Sequence, residues 1–398
     1  MLKQKGFFWK LQENIIDQKN IGKLISFIKT TKRYTQFTEV KKFEKKWSQW
    51  QNVKYSVFVN SGSSANLAIL DLLRDLYNWQ PDDEIIVPAV TWITDISSVL
   101  QLGLKPVFVD VNLEDFSFDY DFLAKKITSK TKAVFITHLI GFPANIKKIK
   151  KIIGNRKIVM IEDCCESYGA TINNKKIGNF GLCSSVSFYW GHHMTTVEGG
   201  MICTNDEKIY KLALLKRSHG LARELPIQYH DHYKNQYPNI DFNFLFLTTG
   251  FNFRNTELNA VLGQLQISKL NQYIKIRNRN HHAFRKILEK YEQYFIIPGN
   301  QGVSSFCLPL FLKQPSLKQK LQDFLTKKGI ESRPIISGNL LKQPFLKKYI
   351  NHDRFPNADF IHNNAFYIGN NQFVNKKRLD YFKNCLQQFF RNRRHSGK

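Results

Sequence analysis

The chain has 398 residues, 42% of them hydrophobic and 14% aromatic, which suits one large α/β core with a smaller appendage and exceeds a single small domain. Its 59 Lys and Arg against 32 Asp and Glu give a formal net charge of +27, but the lysines are scattered, as in Lys41, Lys42, Lys45, Lys46, Lys147, Lys148, Lys150 and Lys151, on faces that read as solvated helix. No zinc-finger spacing, aromatic RNA-binding strand or basic zipper accompanies them, so nucleic acid is not the expected partner.

In chain order, the Phe7–Trp9 run is too short for a signal peptide, and no stretch approaches the roughly 18 apolar residues of a membrane span. Six cysteines lack any CxxC pair, which argues for a reducing cytosol over a disulfide framework or a zinc site. Short apolar strands are predicted at Tyr55–Val59, Glu84–Val87, Pro106–Val109, Ala133–His138, Ile158–Glu162, Val186–Tyr189 and Gly200–Thr204. Continuous Val/Ile/Phe runs of this kind belong to strands buried on both faces, hence to a mostly parallel sheet covered by helices. Ligands of such sheets lie beyond the carboxyl ends of the strands. A long helical pattern over Thr256–Tyr291 leads to a second unit with strand-like Ser304–Leu312, a helix near Leu317–Lys328 and a strand at Ile330–Ile336. The division expected is a large unit over 1–279, N-terminal segment included, and a small α/β unit over 280–398.

Three segments carry chemistry. Asn60-Ser61-Gly62-Ser63-Ser64-Ala65-Asn66 follows a strand and opens an apolar helix. Small residues and free N–H groups at a helix start suit a phosphate, although a plain N-cap by Ser63 or Ser64 explains the motif equally well. Glu162-Asp163-Cys164-Cys165-Glu166-Ser167 ends a buried strand in carboxylates, which need a cationic partner. A protonated pyridine nitrogen on Asp163 is one such partner, with Glu166 near a ring hydroxyl; a lysine ion pair or a helix cap is the other reading.

The third segment is Ser187-Phe188-Tyr189-Trp190-Gly191-His192-His193-Met194-Thr195-Thr196-Val197-Glu198-Gly199-Gly200. It resembles the cofactor-lysine segment of the DegT/DnrJ/EryC1/StrS sugar aminotransferases, with His192 at the lysine position and Val197 where that pattern has glycine. No lysine occurs between Ile177 and Glu207. Pro88-Ala89-Val90-Thr91-Trp92 and Gly250-Phe251-Asn252-Phe253-Arg254 resemble further family motifs, and the likeness runs from about Thr35 to Gln372.

The resemblance implies an α/β fold-type-I transferase of the aspartate aminotransferase kind, binding pyridoxal or pyridoxamine 5′-phosphate (PLP or PMP). It implies phosphate contacts from Gly62 and Ser63, a cofactor contact from Ser187, ring stacking on Trp92, pyridine and hydroxyl contacts from Asp163 and Glu166, and a homodimer in which Asn252 reaches the neighbouring cofactor phosphate. Members with histidine at this place are sugar 3-dehydratases. The implied reaction is C3 dehydration of a nucleotide-linked 4-keto-6-deoxyhexose in dideoxysugar synthesis for surface polysaccharide, with glutamate as amino donor and His192 moving the proton. Arg254 is the candidate for the donor carboxylate, and His219, Arg223 and Arg333 for sugar or diphosphate, each also readable as an ion-pair residue. With only Cys307 and Cys385 after Cys203, the iron–sulfur cluster of one relative is not expected, nor is a metal. The competing expectations are an aminotransferase that uses some other lysine and a noncatalytic binding protein of the same fold.

Overall fold

The computed structural model describes residues 6–349 and 353–394. Two helices, α1 (Gln18–Thr30) and α2 (Thr38–Gln51), lead into β1 (Tyr55–Val59), α3 (Gly62–Tyr77), β2 (Glu84–Pro88), α4 (Thr94–Gln101), β3 (Lys105–Val109), α5 (Tyr120–Lys126), β4 (Thr131–Thr137), α6 (Ile146–Ile153) and β5 (Val159–Asp163). A hairpin of β6 (Thr171–Ile172) and β7 (Lys175–Lys176) precedes β8 (Cys183–Ser187) and β9 (Gly200–Thr204). Hairpin aside, these strands form one seven-stranded sheet in the order β1-β9-β8-β5-β4-β2-β3. From β3 to β8 all neighbours are parallel, while β9 is antiparallel to both β8 and β1. All seven predicted stretches are therefore strands of a single sheet.

One of them lies earlier than predicted. The run expected at Val186–Tyr189 is Cys183–Ser187 because Ser184 and Ser185, polar by type, are fully buried between β5 and β9. The Ser184 hydroxyl is satisfied by the Gly178 carbonyl at 3.1 Å. Buried hydroxyls with a partner fit a strand interior, which composition alone does not reveal.

Beyond β9 come α7 (Glu207–Arg217), α8 (His230–Gln236) and the 33-residue α9 (Glu257–Glu289). The second sheet holds β10 (Phe295–Ile296), β11 (Cys307–Leu312), β12 (Ser332–Pro334) and β13 (Ala365–Gly369), in the order β10-β11-β13-β12 and antiparallel throughout. Helices α10 (Lys318–Lys327), α11 (Pro356–Asn364) and α12 (Lys376–Arg394) accompany it. The strand expected at Ile330–Ile336 is cut to three residues: Pro334 has no N–H to pair, and Ile336 takes a φ of +50°.

Helix α9 serves two cores. Its first half contributes Ala260 and Leu270 to the cluster of Phe43, Trp47, Tyr168 and Phe188, and a Cβ on Gly263 would lie 2.5 Å from the Phe43 ring, so glycine sets the approach to α2. Its last turns give Phe284 and Leu288 to the cluster of Leu308, Leu310, Phe366 and Phe382. Trp9 is in that second cluster, its indole N–H donating to the Gly369 carbonyl at 2.9 Å. The stretch around Trp9 packs on the C-terminal sheet, Ile15 and Asn20 meet Gln266 in the first half of α9, and residue 280 falls inside that helix.

Candidate active site

Parallel strands β2, β4, β5 and β8 all end at one edge, at Pro88, Thr137, Asp163 and Ser187. The start of α3 meets them there. Ser61 caps this helix, accepting from the Ser64 N–H at 3.0 Å, so neither Ser63 nor Ser64 is the cap. With Ser64 and Ala65 bonded back to Ser61, the first-turn N–H groups of Gly62 and Ser63 remain for a ligand. A Cβ on Gly62 would stand 2.8 Å from the Ser187 Cβ and 2.9 Å from the Cys165 sulfur, so the loop seats against the ends of β5 and β8 only without a side chain.

Asp163, the last residue of β5, is 4% exposed. It accepts from the Asn66 amide at 2.9 Å and the Cys165 N–H at 2.8 Å, and no Lys or Arg pairs with it among the described residues. A buried carboxylate held by two neutral donors has room for one more, and a cationic ring N–H suits it. Its neighbour Glu162 is spoken for: it accepts from the Gly178, Phe180 and Gly181 N–H groups and pairs with His138 at 3.0 Å. His138, Glu162 and Cys164 have ligand atoms within 4.8 Å of one another. The His138 Nδ1 already accepts the Ala144 N–H at 3.0 Å, which leaves Nε2 as the proton donor to Glu162 and no histidine lone pair for a cation.

Glu166 accepts the Ile140 N–H at 3.0 Å. Burial pushes its carboxyl up to about 8, with the Asp163 charge adding to the shift, so near neutrality it carries a proton to donate. Trp92 lies between β2 and α4 and is 54% exposed, the exposure of a platform rather than a core side chain. Its neighbour Thr91 and Asp95 in the first turn of α4 bond to Thr137 at the end of β4, tying this loop to the Asp163 edge.

His192 follows β8 in a tight turn, its N–H on the Tyr189 carbonyl at 3.1 Å. Its own carbonyl accepts from Arg277 of α9 at 3.2 Å, and its ring lies 5.4 Å from that of Phe306. The Nδ1 is buried without a protein partner. Burial holds the imidazole down at about 4; Asp163 opposes this and the Arg277 cation adds to it. His193 is buried beside it, with Nε2 on the Ser304 carbonyl at 3.3 Å and its ring 4.9 Å from that of Tyr168. Val197, at the family's glycine position, has a φ of +71°, a conformation costly for a β-branched side chain.

Gly62, Ser63, Asp163, Glu166, Ser187, Trp92 and His192 therefore line one edge of the sheet. Among the described residues, the side chains of Asn252, Arg254, His219 and Arg223 make no hydrogen bond to these site residues, although the Phe253 carbonyl accepts the Asn60 N–H at 2.9 Å, just before the phosphate loop. They sit on an exposed surface near the end of β1: Asn252 bridges to Ser218, Arg254 donates to the Asn252 side chain at 3.0 Å, and Arg223 donates to the Asn243 carbonyl at 2.9 Å. Arg333 is exposed on β12. Residues the sequence reading left without a role are Asn66, Asp95, Thr91 and Arg277. Asn66 stands in the phosphate-loop motif, and its place on the buried face of α3 was the available signal. Thr91 likewise stands in the Pro88–Trp92 motif, while Asp95 and Arg277 carry no such mark.

These residues fit a pyridoxal-type group: a backbone anion cradle that a Cβ would fill, a carboxylate lacking a cation, an exposed indole, and orphaned buried atoms at His192 Nδ1 and Asn66 Oδ1. Sheet order and site together define a fold-type-I PLP-dependent transferase fold. Over residues 15–387 the chain matches the DegT/DnrJ/EryC1/StrS aminotransferase family, and it belongs to that family. It is 36% identical over 377 residues to the GDP-4-keto-6-deoxy-D-mannose 3-dehydratase of Escherichia coli O55:H7, covering 92% of this chain and 96% of that protein. The solved E. coli GDP-4-keto-6-deoxy-D-mannose-3-dehydratase with bound hydrated PLP superposes with a TM-score of 0.88 at 33% identity, covering 96% of this chain and 100% of that one. A structure of GDP-4-keto-6-deoxymannose-3-dehydratase with a trapped PLP-glutamate geminal diamine gives 0.86 at 33% identity, over 95% and 100% of the two chains.

Proposed function

We propose that this protein is a PLP/PMP-dependent 3-dehydratase of a GDP-linked 4-keto-6-deoxyhexose, using glutamate as amino donor and releasing ammonia, in dideoxysugar synthesis. The observation that carries the reading is His192 at the cofactor-lysine position, neutral and pointed at the Asp163 edge, in a segment without lysine. When bound, the cofactor supplies an amino group to join the C4 ketone of the sugar and a ring that takes up an electron pair, so that the C3 hydroxyl departs.

The chain's own residues do the rest. The Gly62 and Ser63 N–H groups and the Ser187 hydroxyl hold the phosphate, and Trp92 covers a ring face. Asp163 keeps the pyridine nitrogen protonated, and protonated Glu166 donates to the ring oxygen. Without a covalent tether, these contacts alone retain the group. Neutral His192 takes the proton from C4′ and delivers it to the departing C3 oxygen. Arg254 binds the glutamate carboxylate, and His219, Arg223 and Arg333 bind the sugar diphosphate.

Two observations support a homodimer with shared sites. Asn252 and Arg254 are exposed beside the end of β1, and their side chains bond to each other rather than to Asp163 or the phosphate loop, as expected of a surface serving the partner's pocket. The same stretch exposes Ile227 (82%), Phe244 (65%) and Phe246 (57%). No helix among the described residues is long and apolar enough to cross a membrane. We place the reaction in the cytoplasm, without a metal.

The test is incubation with PLP, glutamate and GDP-4-keto-6-deoxymannose, followed by the mass of the sugar product. Loss of one oxygen with ammonia release supports the proposal. Gain of an amino group at C4 refutes it in favour of amino transfer, and absence of turnover points to a noncatalytic protein.

A further inference from the structure

A second carboxyl lies beneath Asp163. Asp95 is 0% exposed, and the Asn66 side-chain amide spans the two acids, donating to Asp95 Oδ1 at 2.8 Å and to Asp163 Oδ2 at 2.9 Å. The other Asp95 oxygen is in a triangle. Oδ2 contacts the Thr91 hydroxyl and the Thr137 hydroxyl, the latter at 2.7 Å, and the two hydroxyls contact each other at 2.8 Å. Thr91 is 0% and Thr137 6% exposed.

Three oxygens in mutual contact need three hydrogens. Each threonine brings one. If Asp95 were ionised, one of the three contacts would set lone pair against lone pair in a buried site. A proton on Asp95 Oδ2 closes the ring, each oxygen then donating once and accepting once. Electrostatics agree: burial raises the Asp95 carboxyl well above the usual range, and the Asp163 charge raises it further. No lysine or arginine is paired with either acid among the described residues, so two anions sharing Asn66 would repel without compensation.

We propose that Asp95 is a positioning residue of the cofactor site: a neutral carboxylic acid that closes a hydroxyl ring with Thr91 and Thr137 and, through Asn66, holds Asp163 as the anion that faces the pyridine nitrogen. The role rests on the PLP reading above, but the protonation of Asp95 does not. The neutral acid accepts one Asn66 hydrogen on Oδ1 and so fixes the amide's rotamer, turning its other hydrogen onto Asp163 Oδ2. Asp163 then keeps its charge and its direction.

Two measurements decide it. Infrared spectra of the apoprotein at neutral pH should show a protonated-carboxyl stretch that D95N removes, separate from the one E166Q removes. Should D95N not fold, T137V takes one hydroxyl from the ring and should shift that band. On protein loaded with PLP labelled with ¹⁵N in the ring, D95N, which is also neutral, should leave the pyridine nitrogen protonated. D95L, which cannot hold Asn66, should move the resonance toward the unprotonated value and weaken PLP binding at least tenfold. A wild-type apoprotein whose carboxyl band responds to neither D95N nor T137V overturns the proposal, as does D95L with unchanged resonance and affinity. If wild-type protein fails to bind PLP, the functional reading falls while the infrared result still decides Asp95.

Discussion

Replacing Arg277 with glutamine tests how His192 is kept neutral. The Arg277 guanidinium is fully buried, bonded to the carbonyls of His192 (3.2 Å), Phe306 (2.9 Å) and Asn370 (2.5 Å), and its charge adds to burial in holding the imidazole at about 4. Against the ordinary 6.5 this corresponds to roughly 3 kcal/mol held against the imidazolium, a ceiling because His192 is only partly buried. At pH 6 roughly 1% of such a residue is protonated, against about three-quarters for a free histidine. Base competence therefore persists down to about pH 4 and is lost as pH falls through it. Because the folded value is depressed, the unfolded chain takes up a proton between pH 6.5 and 4 that the folded chain refuses, so stability falls as pH drops through that window. NMR titration of histidine-labelled apoprotein, assigned with H192N, should place the midpoint near 4 and move it upward in R277Q, with R277K in between. A wild-type midpoint at 6 or above, or a downward shift in R277Q, refutes the reasoning.

Three further outcomes are expected. G62A should destabilise the apoprotein by about 1–3 kcal/mol and weaken PLP by more than tenfold, read by thermal melts and fluorescence titration, since its methyl meets Ser187 and Cys165 below 3.0 Å. V197G should stabilise the protein by about 1 kcal/mol by relieving a positive φ in a β-branched residue, measured by urea unfolding. H192K should acquire a borohydride-reducible covalent link to PLP, found by peptide mass mapping, and lose dehydration; in the wild type the same treatment should leave no labelled lysine.

Much of this fold was legible because most of its strands are short, largely apolar runs between loops: Tyr55–Val59 and Gly200–Thr204 match to the residue. The direction of β9 was not, because a strand's own residues do not say whether its neighbour runs with it. At the site, Asp163 stood out as a carboxylate at the end of a buried strand, and His192 by its register in the family's cofactor-lysine segment. Asp95 did not, since an acid in the first turn of a helix reads as a partner for the helix dipole. What makes it unusual is contact with Asn66, Thr91 and Thr137, the first and last of which lie 29 and 42 residues away. Arg277 was hidden in the same way, as one cation among many on a basic helix. Its partners are main-chain carbonyls, which no side-chain pattern announces.

The two sheets are joined by more than α9: Cys307 and Phe311 of β11 and Ala365 of β13 share a core with Ile85 of β2 and Phe135 of β4, and the Phe116 and Phe311 rings stack at 4.5 Å. A helix interior has no slack in φ or ψ, so residue 280 is no hinge between them. Arg277 of α9 adds a polar tie, gripping the His192 carbonyl and, through Phe306 and Asn370, the approach to β11 and the exit of β13. The turn that carries the imidazole is therefore tied to both sheets, and access to the site is left to the loops around it.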